Sequence, residues 1–374
     1  MSASIQRESV KQSLSQHPVQ PFQCSYDLQV PALLHDLNCT IVLSTFQAGK
    51  LVLFSAKDAN QLVQLPRTFK KPMGIAYDPA TEKLALACED EIIVFKNAPG
   101  LAAHYPRAPH TYDALFMPRA TYHTGALDIH DLGFGAQGEL IGVNTLFSSI
   151  DRIDDNYNFT PIWKPPFIDK LVSEDRCHLN GMAMVDGKPK YATAFGKGNS
   201  AQSWREDLMH SGLLIDIETD EIVVEGLPMP HSPRFYSGEI YVLLSATGQL
   251  VRVDAHKGNY EIMIDLGGFV RGMSIYKDYA FIGLSKLRSS SVSFSKMDTQ
   301  GLKNEAGVVI LHLPTGKVVG KISYSSSVEE IYEVQIIPNS CRPNILNTLT
   351  PDHKDGLATP EATFWAKKDS NKKQ

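Results

Sequence analysis

Polar turns and short apolar runs alternate along the chain in a unit that recurs several times. In Cys177–Met184, the polar residues His178 and Asn180 lead directly into the apolar residues that follow Gly181. Short apolar runs bounded by turn residues predict buried strands, and no helical periodicity is sustained over several turns after Cys39. Similar units occur at Ile129–Phe134, Pro230–Phe235 and Phe269–Ser274. The pattern therefore predicts an all-β fold.

The spacing of these units indicates which all-β fold is present. The units open at Met73, His130, Asn180, Ser232, Arg271 and Tyr332. The shortest interval, from Ser232 to Arg271, is close to the roughly 40–50 residues of a four-stranded propeller blade. The longer intervals must contain insertions, and the sequence places these at 97–121, 197–210 and 286–304. The repeat predicts a β-propeller rather than a sandwich or barrel.

The two ends of the predicted strand region complement each other. Near the N-terminus, Thr40–Phe46, Lys50–Phe54 and Gln61–Leu65 form a meander of three strands without an inner strand. Near the C-terminus, Ile331–Ile337 is an inner-type strand followed only by predicted coil. We expect the two ends to complete one blade together, which closes a six-bladed β-propeller and removes open sheet edges.

The propeller is predicted to occupy residues 25–345. A flexible lead-in, 1–24, precedes it, and a C-terminal tail, 346–374, follows it. A short helix is expected over Tyr26–Asp36, before the first strand.

Composition narrows the class of protein. The net charge of −5 and the lack of a basic stripe argue against a nucleic-acid surface. No apolar run reaches the roughly 18–20 residues that span a bilayer, so no membrane association is expected. Residues 1–20 lack the apolar core of a secretory signal, and the five cysteines are scattered as in reduced proteins. These features favour the cytoplasm.

Six motifs together resemble a family of bacterial conserved hypothetical proteins, of the domain-of-unknown-function type. The motifs are Ser44–Leu51, Cys177–Gly181, Met229–Arg234, Arg271–Gly272, Gly283–Lys286 and Glu329–Val334. The resemblance covers roughly residues 25–345 and implies a six-bladed propeller, but it implies no reaction. More distantly, the layout is similar to gluconolactonase and strictosidine-synthase-like propellers, and fold alone is a poor guide to function.

Polar residues at equivalent positions of the inner strands should meet around the propeller axis. Three histidines, His130, His178 and His231, are candidate ligands for one divalent metal ion such as Zn, Fe, Mn or Ca. A metal-bound water there would be deprotonated near neutral pH. The alternative is that each histidine only hydrogen-bonds a neighbouring strand.

The remaining candidates surround the same axis. Asn180, Arg234 and Arg271 are predicted to bind substrate, because the planar guanidinium fork suits carboxylate or phosphate groups. Glu333 and Asp131 are predicted catalytic carboxylates, with Glu333 acting as a general base or a metal ligand. The alternative is structural pairing of the arginines with Asp131, Glu329, Glu330 or Glu333.

Two hypotheses for function follow. The first is a metal-assisted hydrolase, lyase or isomerase that acts on a small anionic or sugar-like molecule in the channel. The second is a non-catalytic propeller that binds a ligand or a protein partner through the insertions at 97–121, 197–210 and 286–304.

Overall fold

The computed structural model describes residues 20–287 and 302–366. The chain begins with strand β1 (Cys24–Tyr26) and helix α1 (Val30–Leu37). Pro31 lies in the first turn of α1, where its missing N–H has no intrahelical partner to lose. The helix ends at Asn38, which adopts a left-handed conformation with φ of 50°. The expected N-terminal helix is therefore present, shifted towards the first long strand.

Six sheets of four or five strands follow one another as the blades of a propeller. Blade 1 contains β2 (Cys39–Thr45), β3 (Lys50–Asp58) and β4 (Gln61–Thr68). Blade 2 contains β5 (Ile75–Asp78), β6 (Lys83–Ala87), β7 (Ile92–Asn97) and β8 (Ala114–Tyr122). Blade 3 contains β9 (Ile129–Phe134), β10 (Leu140–Asn144), β11 (Ser149–Ile153) and β12 (Thr160–Trp163). Blade 4 contains β13 (Leu179–Val185), β14 (Lys188–Ala194), β15 (Gly212–Asp216) and β16 (Ile222–Leu227). Blade 5 contains β17 (Pro230–Tyr236), β18 (Glu239–Leu244), β19 (Gln249–Asp254) and β20 (Asn259–Asp265). Blade 6 contains β21 (Phe269–Tyr276), β22 (Tyr279–Ser285), β23 (Ala306–His312) and β24 (Lys317–Tyr324). The predicted six-bladed propeller is confirmed.

The predicted closure of the ring is also confirmed. Strand β25 (Glu333–Pro338) pairs antiparallel with β2, with Glu333 opposite Ser44 and Pro338 opposite Cys39. Blade 1 thus takes its inner strand from the C-terminal part of the chain. The six inner strands, β25, β5, β9, β13, β17 and β21, pack side by side around the axis.

Apolar side chains fill the gaps between neighbouring blades. Between blades 6 and 1, Phe281 and Ile310 pack with Val52 and Phe54, all fully buried. Helix α1 covers the outer end of this cluster with Leu34. Burial of each such side chain contributes roughly 1.5–3 kcal/mol, so the blades hold each other in place largely by these contacts.

The C-terminal part of the described chain differs from the expected coil. Strand β26 (Pro343–Ile345) joins blade 2 parallel to β8, and β1 joins the outer edge of blade 6 next to β24. Helix α2 (Pro99–Ala102) lies in the predicted insertion 97–121, and helix α3 (Asp352–Asp355) precedes the hairpin of β27 (Gly356–Ala358) and β28 (Thr363–Trp365).

A small apolar cluster holds these C-terminal elements against the insertion. Leu346 and Trp365 pack with Leu101 and Tyr105. The Asp352 carboxylate accepts a hydrogen bond from the Tyr105 hydroxyl at 3.0 Å. Residues 1–19 of the predicted lead-in 1–24 and residues 288–301 of the predicted insertion 286–304 lie outside the described residues. Among the described helices, none is long and apolar enough to cross a membrane.

Two of the inner strands, β17 and β21, contain an irregularity that the sequence analysis missed. In β17 the pairing with β18 shifts between His231 and Arg234, and in β21 the pairing with β22 shifts between Val270 and Met273. A bulge of this kind adds residues to one strand and turns their side chains in new directions. The bulges lie at the positions predicted to face the axis.

Candidate active site at the channel mouth

A cavity of about 250 Å³ lies where five of the inner strands begin. Its wall combines three imidazoles, two arginines, two carboxylates, and aromatic or sulfur-containing side chains. These residues are Phe46, Asp128, His130, His178, Phe195, Trp204, Arg205, Met229, His231, Phe269, Arg271, Glu330 and Tyr332. The inner strands of the propeller therefore bring together residues that are far apart in sequence.

His130 and His231 are held in the same way by their own blades. The Nδ1 atom of His130 lies 2.7 Å from the Thr145 hydroxyl, and Nδ1 of His231 lies 2.7 Å from the Ser245 hydroxyl. Each hydroxyl donates its proton to a backbone carbonyl of the next blade. Each hydroxyl must therefore accept a hydrogen bond from Nδ1–H, which leaves Nε2 as a bare acceptor.

Both imidazoles are neutral near pH 7. Burial lowers the pKa of His130 well below 6.5, and the nearby His178 and Arg271 lower it further. Burial likewise lowers the pKa of His231, followed by the positive charge of Arg271. A neutral imidazole with a bare Nε2 accepts a hydrogen bond or binds a metal, and it resists protonation.

His178 differs from the other two because a carboxylate holds its ring. Its Nδ1 atom lies 3.0 Å from an oxygen of Asp175, three residues earlier. The indole N–H of Trp204 donates to the same carboxylate at 3.1 Å. The imidazole contacts the rings of Phe195 and Trp204, with centroids 4.5 and 4.3 Å away, and those two rings also contact each other. Asp175 thus fixes the tautomer, and the two aromatic rings fix the plane.

Backbone conformation aims these histidines. His178 itself has φ of 51°, and Asp128 and Met229, each two residues before a histidine, have φ of 56° and 50°. The Asp128 carbonyl accepts a hydrogen bond from His130 at 2.9 Å. Left-handed conformations are uncommon for residues other than glycine and concentrate at functional sites. The polar turns of the sequence repeat are therefore left-handed turns into the inner strands.

Arg271 and Tyr332 supply the donors of the cavity. The guanidinium of Arg271 stacks on the Tyr332 ring, 3.5 Å from its centroid, and lies 3.8 Å from a Glu330 oxygen. The Tyr332 hydroxyl is buried and has no hydrogen-bond partner among the described residues. Burial raises the pKa of Tyr332, so the hydroxyl keeps its proton and can donate it to a ligand.

Arg234 lies one layer deeper and crosses the axis. Its Nη1 atom lies 2.9 Å from Asp131, its Nη2 atom lies 3.1 Å from Glu333, and its Nε–H donates to the Met273 carbonyl at 2.8 Å. Burial raises the pKa of Glu333 to about 7, while the guanidinium of Arg234 opposes this shift. The guanidinium links the inner strands of the alternate blades 1, 3 and 5, so the cavity has a floor.

Both carboxylates of this layer also accept backbone N–H groups. Asp131 accepts from Leu132 at 2.9 Å and from Met182 at 3.1 Å. Glu333 accepts from Val334 at 2.9 Å and from Met273 at 3.1 Å. Each carboxylate therefore joins its own strand to another inner strand.

Seven of the eight predicted site residues lie in one of the two layers, and Asn180 lies in neither. Four line the cavity, namely His130, His178, His231 and Arg271. Asp131, Arg234 and Glu333 form the deeper ion cluster. Asn180 is buried, and its side-chain oxygen accepts a hydrogen bond from the Thr193 hydroxyl at 2.7 Å. Its amide nitrogen has no hydrogen-bond partner in the described ranges.

The three imidazoles suit a metal ion in their chemistry but not in their arrangement. Each Nδ1 atom is engaged, and Nε2 is left for a ligand, as in many metal sites. Within residues 20–287 and 302–366, however, no three His, Cys, Asp or Glu side chains form a group able to hold a metal ion. The predicted metal stays a prediction.

Sequence reasoning missed several residues of the site. Asp175 and Tyr332 had no assigned role, although Asp175 precedes His178 by three residues in a polar stretch. Trp204, in the predicted insertion 197–210, lines the cavity, and Arg205 lies 4.1 Å from its ring centroid. Cys177, next to His178 in sequence, is fully buried, and burial raises the pKa of its thiol to about 12.

Comparison with solved structures supports the fold. A structure described as a nidogen/laminin complex is similar over 81% of this chain and 100% of the other, with a TM-score of 0.52 and 10% identity. A protein of unknown function from Bacteroides caccae is similar over 80% of this chain and 98% of the other, with a TM-score of 0.48 and 10% identity. A streptogramin B lyase structure is similar over 75% of this chain and 74% of the other, with a TM-score of 0.38 and 15% identity.

Comparison of the sequence gives the family. No curated protein matches the chain. The model of a domain of unknown function, DUF4915, matches residues 28–346, which is most of the described propeller. The predicted resemblance to a domain-of-unknown-function family is confirmed, and the chain belongs to the DUF4915 family.

Proposed function

We propose that the channel mouth is the active site of an enzyme that acts on a small molecule by general base catalysis. The observation that carries this proposal is that three imidazoles around one cavity each have Nδ1 engaged and Nε2 unused. Three Nε2 acceptors around one cavity are available to a ligand, because each ring is already held in place by the protein through Nδ1.

His178 is the proposed base. Asp175 accepts a hydrogen bond from Nδ1–H of His178 and would stabilise the imidazolium that forms when Nε2 takes a proton. His130 and His231 have no carboxylate partner, and burial keeps them neutral. They are proposed to accept hydrogen bonds from the substrate and to orient it.

Arg271 and the Tyr332 hydroxyl are proposed to hold the substrate oxygen that gains negative charge. Donors aimed at developing charge in a cavity that excludes water are among the largest sources of catalysis. In the proposed step, Nε2 of His178 takes a proton from water or from a carbon next to a carbonyl. The electron pair left behind attacks the substrate or moves to the oxygen held by Arg271 and Tyr332. Hydrolysis, elimination and isomerisation share this first step.

The substrate is proposed to be a small anionic or sugar-like molecule. A guanidinium suits an anionic group, whereas the three Nε2 acceptors and the aromatic wall suit the hydroxyl groups and apolar faces of a sugar. In this proposal Asp131, Arg234 and Glu333 have a structural role, because their contacts are with each other and with the backbone.

The chain offers a matched control for the test. His210 also lies 3.1 Å from an aspartate three residues earlier, Asp207, but its side chain is 79% exposed. Purified protein is incubated with a mixture of small metabolites, and consumption is followed by mass spectrometry. We expect His178→Asn to lose consumption of the substrate at least 100-fold, as is usual for loss of a general base, and His210→Asn to match the original protein. Equal consumption by all three proteins would rule out His178 as the base.

A metal-assisted version of the reaction has a separate test. Metal analysis of protein expressed in metal-supplemented medium, with His130→Ala and His231→Ala alongside, distinguishes the versions. Stoichiometric metal that both variants lose would support the metal. Metal below stoichiometric levels in the original protein would favour the metal-free base.

Protein binding is a second candidate function, favoured by an apolar patch on the C-terminal hairpin. Leu357 and Phe364 lie opposite each other in β27 and β28, and both are 54% exposed. The hairpin packs beside the insertion 97–121 that was expected to bind a partner. A partner lost with Leu357→Ser and Phe364→Ser but retained by His178→Asn would support this function.

A further inference from the structure

A second cavity of about 180 Å³ adjoins the proposed active site. Phe46 and Asp128 line both cavities, so the ring of Phe46 forms part of the wall between them. Phe46 also stacks on Tyr332, with ring centroids 5.8 Å apart. A molecule bound at Tyr332 and Arg271 would therefore lie next to the second cavity, with the Phe46 ring between them.

The lining of the second cavity is mainly apolar. Met73, Ala126 and Leu146 join Phe46, while Lys71 and Glu89 lie at its rim. The two rim residues form an ion pair with each other, and Glu89 also pairs with Lys70 at 2.7 Å. These two charges compensate each other, and the other charged group of the lining, the Asp128 carboxylate, is shared with the histidine cavity. The wall formed by Met73, Ala126 and Leu146 therefore offers no charge to a ligand. Its chemistry suits hydrocarbon.

We infer that the substrate has two parts: a polar head in the histidine cavity and an apolar chain that passes Phe46 and lies against Met73, Ala126 and Leu146. The inference rests on the proposed function for the place of the head, but it concerns binding and needs no turnover. One water molecule occupies about 30 Å³ of the liquid, and by this measure a cavity of 180 Å³ holds roughly six non-hydrogen atoms. The chain should therefore contribute to binding over about six carbons and no further.

Two series of probes test this inference and separate the two candidate head groups. One is the straight-chain carboxylates from acetate to decanoate, and the other is the alkyl β-glucosides from methyl to decyl. Dissociation constants are measured by ligand-observed NMR titration. Each methylene placed in an apolar cavity should strengthen binding about fourfold until the cavity is full. The series that shows this gain identifies the head group as anionic or sugar-like.

Ala126→Leu fills the second cavity from its wall, and Ala255→Leu is the control at another exposed alanine that lines neither of these cavities. Thermal unfolding midpoints are compared first to show that both variants fold. We expect Ala126→Leu to abolish the gain with chain length and to leave the shortest probe unchanged, while Ala255→Leu keeps the gain. His178→Asn should also keep the gain with chain length, because His178 lines the histidine cavity and not the second cavity.

The outcomes distinguish this inference from the proposed catalysis. A gain with chain length that Ala126→Leu removes supports the two-part substrate even if no turnover is found. Affinities that do not change with chain length in both series, or no binding in either series, would overturn the inference while leaving the test of His178 unaffected. A gain that survives Ala126→Leu would place the chain elsewhere and would also overturn it.

Discussion

The deeper ion cluster gives a prediction that separates structural from catalytic carboxylates. Arg234→Met removes a guanidinium that lies 2.9 Å from Asp131 and 3.1 Å from Glu333, while keeping a side chain of similar length. The two carboxylate side chains are only 3% and 4% exposed, so water cannot replace the lost cation. Breaking a buried ion pair by removing one partner costs about 3–5 kcal/mol. We expect a loss of this size in the free energy of unfolding.

A second arginine in the chain provides the control. Arg252 also lies between two carboxylates, Glu239 at 3.7 Å and Glu261 at 2.5 Å, but it is 38% exposed and the carboxylates are 45% and 57% exposed. Exposed pairs contribute about 0–1 kcal/mol, so Arg252→Met should change stability little. Urea unfolding is measured at pH 8, because burial raises the pKa of Glu333 to about 7 and its carboxylate is ionised above that pH.

Two results would refute a structural role for the cluster. The first is a loss for Arg234→Met that is no larger than the loss for Arg252→Met. The second concerns the triple variant Arg234→Met, Asp131→Asn and Glu333→Gln, which should recover much of the lost stability because no buried charge remains. The second result has two parts: the triple variant recovers no stability, and Glu333→Gln alone keeps native stability but loses turnover. Together these would support Glu333 as a general base.

Two further predictions concern pH and backbone conformation. Burial lowers the pKa values of His130 and His231 well below 6.5, so the unfolded chain takes up protons at these two positions at a higher pH than the folded protein does. The contribution of the two histidines to the unfolding free energy should be constant well above pH 6.5 and should fall below it by up to about 1.4 kcal/mol per pH unit for each histidine. A double variant, His130→Asn and His231→Asn, should flatten this dependence in urea titrations, and an unchanged slope would contradict it. Gly272 has φ of 77°, and a Cβ there would lie 2.8 Å from the Glu333 backbone. Gly272→Ala should therefore lower the thermal midpoint more than Gly316→Ala, which has φ of 62° but open space, and equal effects would contradict the close approach.

The fold was predictable because each inner strand carries the same local signal. The polar turns before Asn180, Ser232 and Arg271 recur at blade-like intervals, and this regularity does not depend on any long-range contact. The ring closure followed from counting strands at the two ends, and β25 pairs with β2 as expected. The parallel strand β26 was not predictable in this way, because a strand of three residues has no periodicity of its own.

The sequence predicted which residues would gather around the axis, but not which of the two layers each residue would occupy. Equivalent positions do converge on the axis, so His130, His178, His231 and Arg271 were found together. Which neighbours they contact depends on the bulges and the left-handed turns. Arg234 follows the bulge in β17, and its long side chain reaches Asp131 and Glu333, each on a different blade. No rule based on spacing gives the direction of a side chain after a bulge.

The two layers differ in how fully the protein itself satisfies their polar atoms, and this difference is the reason for placing the proposed chemistry at the channel mouth. In the deeper layer, the carboxylates of Asp131 and Glu333 accept hydrogen bonds from Arg234 and from backbone N–H groups, so they are already satisfied by the protein itself. At the mouth, each histidine uses Nδ1 for the protein and keeps Nε2, and the Tyr332 hydroxyl has no partner within the described chain. A buried group that lacks a partner costs free energy unless water or a ligand supplies one. The Tyr332 hydroxyl and the three Nε2 atoms therefore support the proposal that a ligand binds at the mouth, above the floor that Asp131, Arg234 and Glu333 form.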